Sequence, residues 1–148
     1  MAQVCLLGEP GGTLRYDLLS RETARDALAT YDLREPFENS LAVETVSIGA
    51  AVSLLNDLNW YLVRFVDLAL VQSDSVSETE WLSRDLATAL RDGDVEPAET
   101  GDYLEVYGIE DGRPVEPTFV RREGEWTPER DAYDEVLVVR VTEDEFGS

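Results

Sequence analysis

The longest run of helical periodicity extends from Ser47 to Val71 and predicts one central, largely buried helix. Apolar residues recur there on a single face: Ile48, Ala51, Val52, Leu55, Leu58, Leu62, Phe65, Val66 and Ala69. We therefore expect a helix over about 48–70, with Ser47 as its N-cap. An alternative interpretation breaks the helix near Asn59 and makes 60–66 a strand, because WYLVRFV is rich in β-forming residues. The apolar spacing continues without a change of phase, which favours the helix.

Period-two patterning and turn residues predict an N-terminal hairpin over residues 3–19. The run QVCLLG at 3–8 is typical of a buried strand, and Glu-Pro-Gly-Gly at 9–12 has the composition of a turn. The next residues alternate apolar and polar, as in a half-buried strand. A helix over 21–31, capped by Ser20, and a strand over 41–46 follow.

The second half of the chain begins with a capping-box pattern, Ser77-Glu78-Thr79-Glu80, which predicts the start of another helix. Gly93 is placed as the residue just after the end of that helix.

Strand patterns then dominate. Residues 103–109 precede the hairpin signal Asp111-Gly112, and the return strand over 115–122 carries Pro117, which suits a sheet edge. After a loop over 123–133, the continuous apolar run at 135–141 predicts a central strand able to pair with the strand that contains Cys5.

These elements predict an α+β fold: a mainly antiparallel sheet of five or six strands, packed on one face by about three helices. The central helix, about 48–70, is expected to be long and largely buried. We expect a single domain over 1–142 and a frayed acidic tail over 143–148, because 148 residues are typical of one domain.

Charge changes this picture most. The chain has 32 Asp and Glu against 12 basic residues, a net charge of −20, and every basic residue is arginine. The carboxylates are dispersed along the whole chain, whereas an interaction tail or a nucleic-acid mimic would concentrate them in a block. The dispersal favours a halophilic protein that needs a high potassium or sodium concentration for stability.

The sequence also predicts a soluble, cytoplasmic protein. Cys5 is the one cysteine, so no internal disulfide forms, and no basic segment precedes the first apolar run. Asp57, Arg64 and Asp67 interrupt the long apolar stretch, which argues against a membrane span.

Several chemistries are excluded by composition. Without histidine or lysine, the chain has no Ser–His or Cys–His pair, Schiff base or Walker lysine. The Gly-rich segment 8–13 lacks the phosphate-loop pattern and is interpreted as a hairpin turn, and the acidic segment 92–96 lacks EF-hand spacing. We expect no cofactor, no metal, no catalytic residue that can be assigned and, at −20, no nucleic-acid partner.

The polar stripe of the central helix is the candidate binding site, and its members are Asn56, Asp57, Trp60, Arg64 and Asp67. Trp60 and Arg64 are four residues apart and able to stack, while Arg64 and Asp67 are three apart and able to pair. Exposed tryptophan beside arginine is typical of binding hot spots. The alternative is that Trp60 packs under a neighbouring element and that Arg64 and Asp67 form an ordinary surface pair.

Three segments carry a family resemblance: VCLLGEPGGTLRYDLLSRETARDALATYDLREPFEN, SIGAAVSLLNDLNWYLVRFVD and the ending VVRVTEDEF. With these segments the chain resembles a family of small acidic haloarchaeal proteins of unknown function. The resemblance supports the saline habitat and implies no activity, cofactor or site residue.

Two functional hypotheses remain. The first is a non-enzymatic interaction or regulatory protein that binds another macromolecule through the polar stripe or self-associates. The second is a small enzyme or ligand-binding protein that uses Asp or Glu as acid and base and Arg as an anion clamp.

Salt dependence tests the halophilic interpretation. We expect the melting temperature to rise between dilute buffer and molar potassium chloride, because the Debye length falls to roughly 3 Å at 1 M and screens carboxylate repulsion. Differential scanning calorimetry over a salt series measures this. An unchanged melting temperature would contradict the halophilic interpretation.

Overall fold

The computed structural model describes residues 1–122 and 135–147, and this part of the chain forms one seven-stranded open sheet with six helices. The strands are β1 (Ala2–Leu7), β2 (Ser40–Thr45), β3 (Leu68–Ser73), β4 (Trp81–Ser83), β5 (Tyr103–Glu110), β6 (Arg113–Arg121) and β7 (Val136–Arg140). The helices are α1 (Leu14–Leu19), α2 (Glu22–Leu28), α3 (Ile48–Asp57), α4 (Asn59–Phe65), α5 (Arg84–Asp92) and α6 (Glu143–Gly147). A 3-10 turn covers Pro97–Glu99.

The sheet order is β2-β1-β3-β4-β7-β5-β6. All neighbours are antiparallel except β4 and β7, which are parallel. The predicted α+β class with a mainly antiparallel sheet is therefore confirmed. The predicted numbers of strands and helices were only roughly right, because short elements such as β4 and α1 have weak local signals.

Both faces of the sheet are apolar, and β1 shows why. Val4 and Leu6 pack into the larger core, which lies between the sheet and helices α1–α5. Cys5 and Leu7, which alternate with them, pack into a second core with residues of β3, β5 and β7. A strand buried on both sides has a continuous apolar sequence, which explains the QVCLLG run.

The sheet curls so that its two ends approach each other. Four strands separate β1 from β6 in the sheet order, yet Arg113 at the start of β6 donates to the Gly8 carbonyl just after β1, at 2.5 Å. Arg113 also donates to the carbonyl and carboxylate of Glu38, each at 3.2 Å. This arginine ties the β5–β6 hairpin to the loop before β2 and helps to enclose the second core.

The predicted single helix over 48–70 is wrong in its second half. The helix breaks at Leu58, α4 ends at Phe65, and residues 68–73 form β3 in the middle of the sheet. The alternative interpretation placed the break correctly, but 60–66 is mostly helical rather than a strand. The apolar run at 68–71 fits a helix and a buried strand equally well, and pairing with β1 decides between them.

The predicted hairpin over 3–19 is also wrong, because residues 14–19 form helix α1. Leu14 and Leu18, one helical turn apart, are buried, while Tyr16 between them is 72% exposed. Leu14 and Leu18 are four residues apart, a spacing that fits one face of a helix as well as one face of a strand. The cap comes from outside the segment: the Asn39 side chain accepts a hydrogen bond from the Leu14 N–H at 2.7 Å.

Two of the helix caps predicted elsewhere in the chain are confirmed, and a third is wrong. Ser47 accepts from the Ala50 N–H as predicted, and Gly93 follows α5 with a left-handed φ of 79°. The Ser77 hydroxyl accepts from the N–H groups of Thr79 and Glu80, but no helix starts there. Strand β4 intervenes, and α5 begins at Arg84 with Ser83 as its N-cap.

The C-terminal strands follow the sequence closely. Asp111 and Gly112 turn the β5–β6 hairpin with positive φ values, and β6, which contains Pro117, is an edge strand. Strand β7 lies inside the sheet as predicted, but it pairs with β4 and β5 rather than with the strand containing Cys5. The predicted loop over 123–133 lies outside the described residues. In the segment expected to be frayed, 143–147 forms the short helix α6.

The Asn39 side chain links the N-terminus of α1 to the loop before β2. Asn39 has a left-handed φ of 51°, accepts from the Leu14 N–H and donates to the Glu9 carbonyl, both at 2.7 Å. We expect Asn39→Gly, which tolerates this φ but loses both hydrogen bonds, to lower the free energy of unfolding by about 1–2 kcal/mol. Asn39→Ala should lower the free energy of unfolding further, because alanine is strained at this left-handed φ. Urea unfolding in molar potassium chloride measures both, and a wild-type value for Asn39→Gly would contradict the capping role.

Candidate functional site

Helix α4 displays an aromatic and basic surface. Its inner residues Tyr61 and Leu62 are buried, whereas Trp60 is 49% exposed and Val63 is 69% exposed. Because Trp60 and Val63 are three residues apart on this helix, they lie on the same side of it and form a small exposed apolar patch.

Two arginines hold the Trp60 ring. The Arg64 guanidinium lies 3.7 Å from the ring centroid and donates to the Trp60 carbonyl at 2.7 Å. The Arg21 guanidinium lies 5.5 Å from the Trp60 centroid and 5.0 Å from that of Phe65. Trp60 and Phe65 meet edge to face at 6.5 Å. We call Arg21, Trp60, Arg64 and Phe65 the Trp60 cluster; its cation–π contacts order the indole while leaving it accessible.

The rest of the predicted stripe does not join this cluster. Asn56 accepts from Arg84 at 3.2 Å, and Arg84 also donates to Asn59 at 2.9 Å, so these groups bind α5 to the α3–α4 junction. Asp67 lies 3.8 Å from Arg113 instead of pairing with Arg64. Asp57 is exposed. The helix is interrupted at Leu58 and ends before Val66. The residues of the predicted stripe therefore lie in three different environments: beside Arg84, in the Trp60 cluster, and near Arg113.

A small cleft of about 140 Å³ adjoins the cluster. Arg64, Phe65 and Asp67 form one wall, and Glu9 and Asp17 are among the lining residues opposite. Its carboxylates and its small volume make it unsuited to a phosphate group.

A larger cleft, which sequence reasoning missed, opens on the other side of α1. It has a volume of about 630 Å³ and lies between α1 and the loop before β2. Its lining residues are Gly12, Thr13, Arg15, Tyr16, Leu19, Ser20, Glu35, Asn39 and Ser40. Reading 14–19 as a strand hid this cleft, because only a helix places Arg15, Tyr16 and Leu19 along one wall.

The Gly-rich segment 8–13 does connect a strand to a helix, contrary to the predicted hairpin turn. The N–H groups of its three glycines are nevertheless already bound within the protein. Gly8 donates to the Asn39 carbonyl, Gly12 to the Glu9 carbonyl and Gly11 to the Glu38 carboxylate, each at 3.0 Å. An internal carboxylate thus takes a donor that a phosphate would need, so the loop is structural.

The half-buried Glu80 is the centre of an ion-pair network. Its carboxylate accepts from Arg122 and, at 2.8 Å, from Arg140, which also donates to Thr100 at 2.9 Å. Burial raises the pKa of Glu80, but the hydrogen bonds and charges of the two arginines outweigh burial and hold that pKa below its usual value. Glu80 is therefore an ionised structural anchor rather than a proton donor.

Two other groups have raised pKa values for structural reasons. Burial raises the pKa of the Cys5 thiol to about 12, which makes this cysteine an inert core residue. Burial and the neighbouring Glu105 carboxylate raise the pKa of the Tyr107 hydroxyl.

Within residues 1–122 and 135–147, no group of three or more cysteine or acidic side chains is arranged to hold a metal ion. None of the helices in the described part of the chain is long and apolar enough to cross a membrane.

The fold and the site define a class: an α+β protein with a curled, mainly antiparallel sheet and an exposed tryptophan–arginine cluster beside its helical layer. The chain belongs to a family of unknown function, DUF5804, whose model matches residues 2–109. That range contains the whole Trp60 cluster and both clefts beside α1. No curated protein and no solved structure matches the chain.

The Glu80 network makes stability depend on pH. The pKa of Glu80 is lower in the folded protein than its value of 4.5 in the unfolded chain. The ionised carboxylate therefore stabilises the fold at pH values above 4.5, and this stabilisation is lost as the pH falls through the folded pKa. We expect Glu80→Gln to lower the free energy of unfolding at pH 7 by about 1–3 kcal/mol and to weaken the acid dependence below pH 4.5. Urea unfolding at several pH values measures both effects. Glu44→Gln, at an exposed strand position, is the control; an equal effect of the two substitutions would refute the anchor role.

Proposed function

We propose that this chain is a non-enzymatic interaction protein that binds another protein through the Trp60 cluster and the adjoining Val63. The observation that carries the proposal is the half-exposed indole of Trp60, ordered by two guanidinium groups. Asn56, Asp57 and Asp67 of the predicted stripe lie outside the proposed contact.

Tryptophan and arginine are the residues most enriched among binding hot spots, since a large flat ring and a planar cation each bury much area. Here the Trp60 ring is already fixed by Arg64 and Arg21. A side chain ordered before binding loses little conformational entropy on association, which favours affinity. Val63, one helical turn from Trp60, extends the apolar part of the surface.

A protein partner is favoured over a nucleic acid. The net charge of −20 repels phosphate, and Glu9, Asp17 and Asp67 line the cleft beside the cluster. A protein surface with apolar and aromatic groups would stack on the indole without carrying a dense negative charge.

The setting we propose is the cytoplasm of a halophilic, haloarchaeal cell. The dispersed carboxylates and the absence of lysine support this. In molar salt, long-range steering is screened, so binding would depend on short-range stacking and apolar contact of the kind that Trp60 and Val63 offer. A surface made of an indole and a valine suits that condition better than a surface made of ion pairs.

Matched substitutions at two exposed valines test the proposal. Tagged wild type and the Trp60→Ala, Val63→Arg and Val46→Arg variants are used to capture partners from a native lysate in molar potassium chloride. Val46 is 77% exposed and directly follows β2, outside α4. We expect recovery of a stoichiometric partner to fall at least tenfold for Trp60→Ala and Val63→Arg, and to be unchanged for Val46→Arg.

Circular dichroism melting curves establish that each variant is folded. Equal recovery by all four proteins, or no partner for the wild type, would contradict the proposal. Capture of the chain itself, confirmed by sedimentation, would replace it with self-association.

A further inference from the structure

The cleft of about 630 Å³ between α1 and the loop before β2 is a second candidate site, separate from the Trp60 cluster. Its volume lies within the range of small-molecule sites, roughly 300–1,000 Å³. The volume would hold a metabolite of modest size. The chemistry of its walls indicates which class of molecule fits.

The walls are held in place before any ligand arrives. Asn39 ties both sides together, since its side chain binds the first N–H of α1 and the Glu9 carbonyl. A Cβ atom on Gly12 would lie 2.8 Å from the Asn39 amide nitrogen, so a larger residue at position 12 would displace the Asn39 side chain. The floor of the cleft is thus part of a fixed strand–loop–helix connection.

Opposite charges face each other at the mouth. Arg15 Nη1 on α1 lies 3.5 Å from Glu35 Oε1 on the loop, and the two side chains are 51% and 53% exposed. This is a single, long contact in water, and such an exposed pair contributes little to stability. Most of the donor capacity of Arg15 and the second oxygen of Glu35 are unused within the described part of the chain.

Apolar and hydroxyl groups complete the cleft. The Tyr16 ring is 72% exposed and makes no ring contact within the described residues, and Leu19 lies one helical turn further along α1. The hydroxyl groups of Thr13 and Ser20 lie at the two ends of α1. An apolar surface therefore adjoins a neutral pair of opposite charges.

We propose that this cleft binds a small zwitterion with an apolar side chain, that is, a free α-amino acid. The guanidinium of Arg15 would receive the carboxylate, and the carboxylate of Glu35 would receive the ammonium group. In an α-amino acid these two charges are one carbon apart, which matches side chains that already lie next to each other. The apolar side chain would lie along Tyr16 and Leu19.

Ligands with one charge fit less well. A simple anion would pair with Arg15 but face Glu35 and the field of a −20 protein, while a simple cation would leave Arg15 without its carboxylate. A zwitterion replaces one weak ion pair with two and adds no net charge.

Titrations with charge-matched probes test the proposal. L-leucine, L-methionine and L-phenylalanine are added to the full chain in molar potassium chloride, and binding is followed by NMR shifts of the signals of Tyr16, Leu19 and Arg15. The comparison probes are 4-methylpentanoate, which lacks the ammonium group of leucine, and 3-methylbutylamine, which lacks its carboxylate. We expect saturable shifts with at least one amino acid and at least tenfold weaker binding of both single-charge analogues.

Matched variants separate the site from a general effect. Arg15→Gln and Glu35→Gln should each weaken binding at least tenfold, whereas Arg25→Gln and Glu22→Gln, at exposed positions of α2, should leave it unchanged. Trp60→Ala should also leave it unchanged, so this result does not depend on the protein-binding proposal. No saturable shift with any of the three amino acids, equal binding of an analogue, or equal effects of test and control variants would overturn the inference.

Discussion

Strand β3 must lie between β1 and β4, and this constraint determines the shape of the helical layer. Residues 68–73 pair with β1 at six successive positions, and Leu70 and Val71 are fully buried. The chain therefore has to leave its helix by Val66 in order to enter the sheet. The resulting short helix α4 packs Tyr61 and Leu62 inward and leaves Trp60, Val63 and Arg64 outside. The surface that we propose for binding is a consequence of where β3 lies.

Local signals predicted those features whose cause is local. Ser47 caps α3, Gly93 ends α5 in the left-handed region, and Asp111-Gly112 turns a hairpin, because each depends on the conformational preferences of one or two residues. The α+β class follows from the mixture of such signals. The contact between Trp60 and Arg64 was predicted for the same reason, since a four-residue spacing within a helix is a local property.

Features that depend on distant partners could not be read from the sequence. The apolar residues at 68–71 suit a helix or a buried strand, and only pairing with β1 selects the strand. Helix α1 takes its cap from Asn39, 25 residues away, so its N-terminus lacks a local cap. Asp67 was assigned to Arg64 by spacing, yet it lies near Arg113 because the sheet curls. Each error concerns a contact between elements that are far apart in sequence.

The placement of β3 is most directly measured by backbone NMR of residues 58–73 in molar salt. We expect helical carbon shifts for 59–65, strand shifts for 68–73, a cross-strand contact between the Hα protons or amides of Cys5 and Leu70, and rapid solvent exchange of the Trp60 indole proton. Continuous helical shifts from 48 to 70 with a protected indole would contradict the account, because Trp60 would then lie on a different surface.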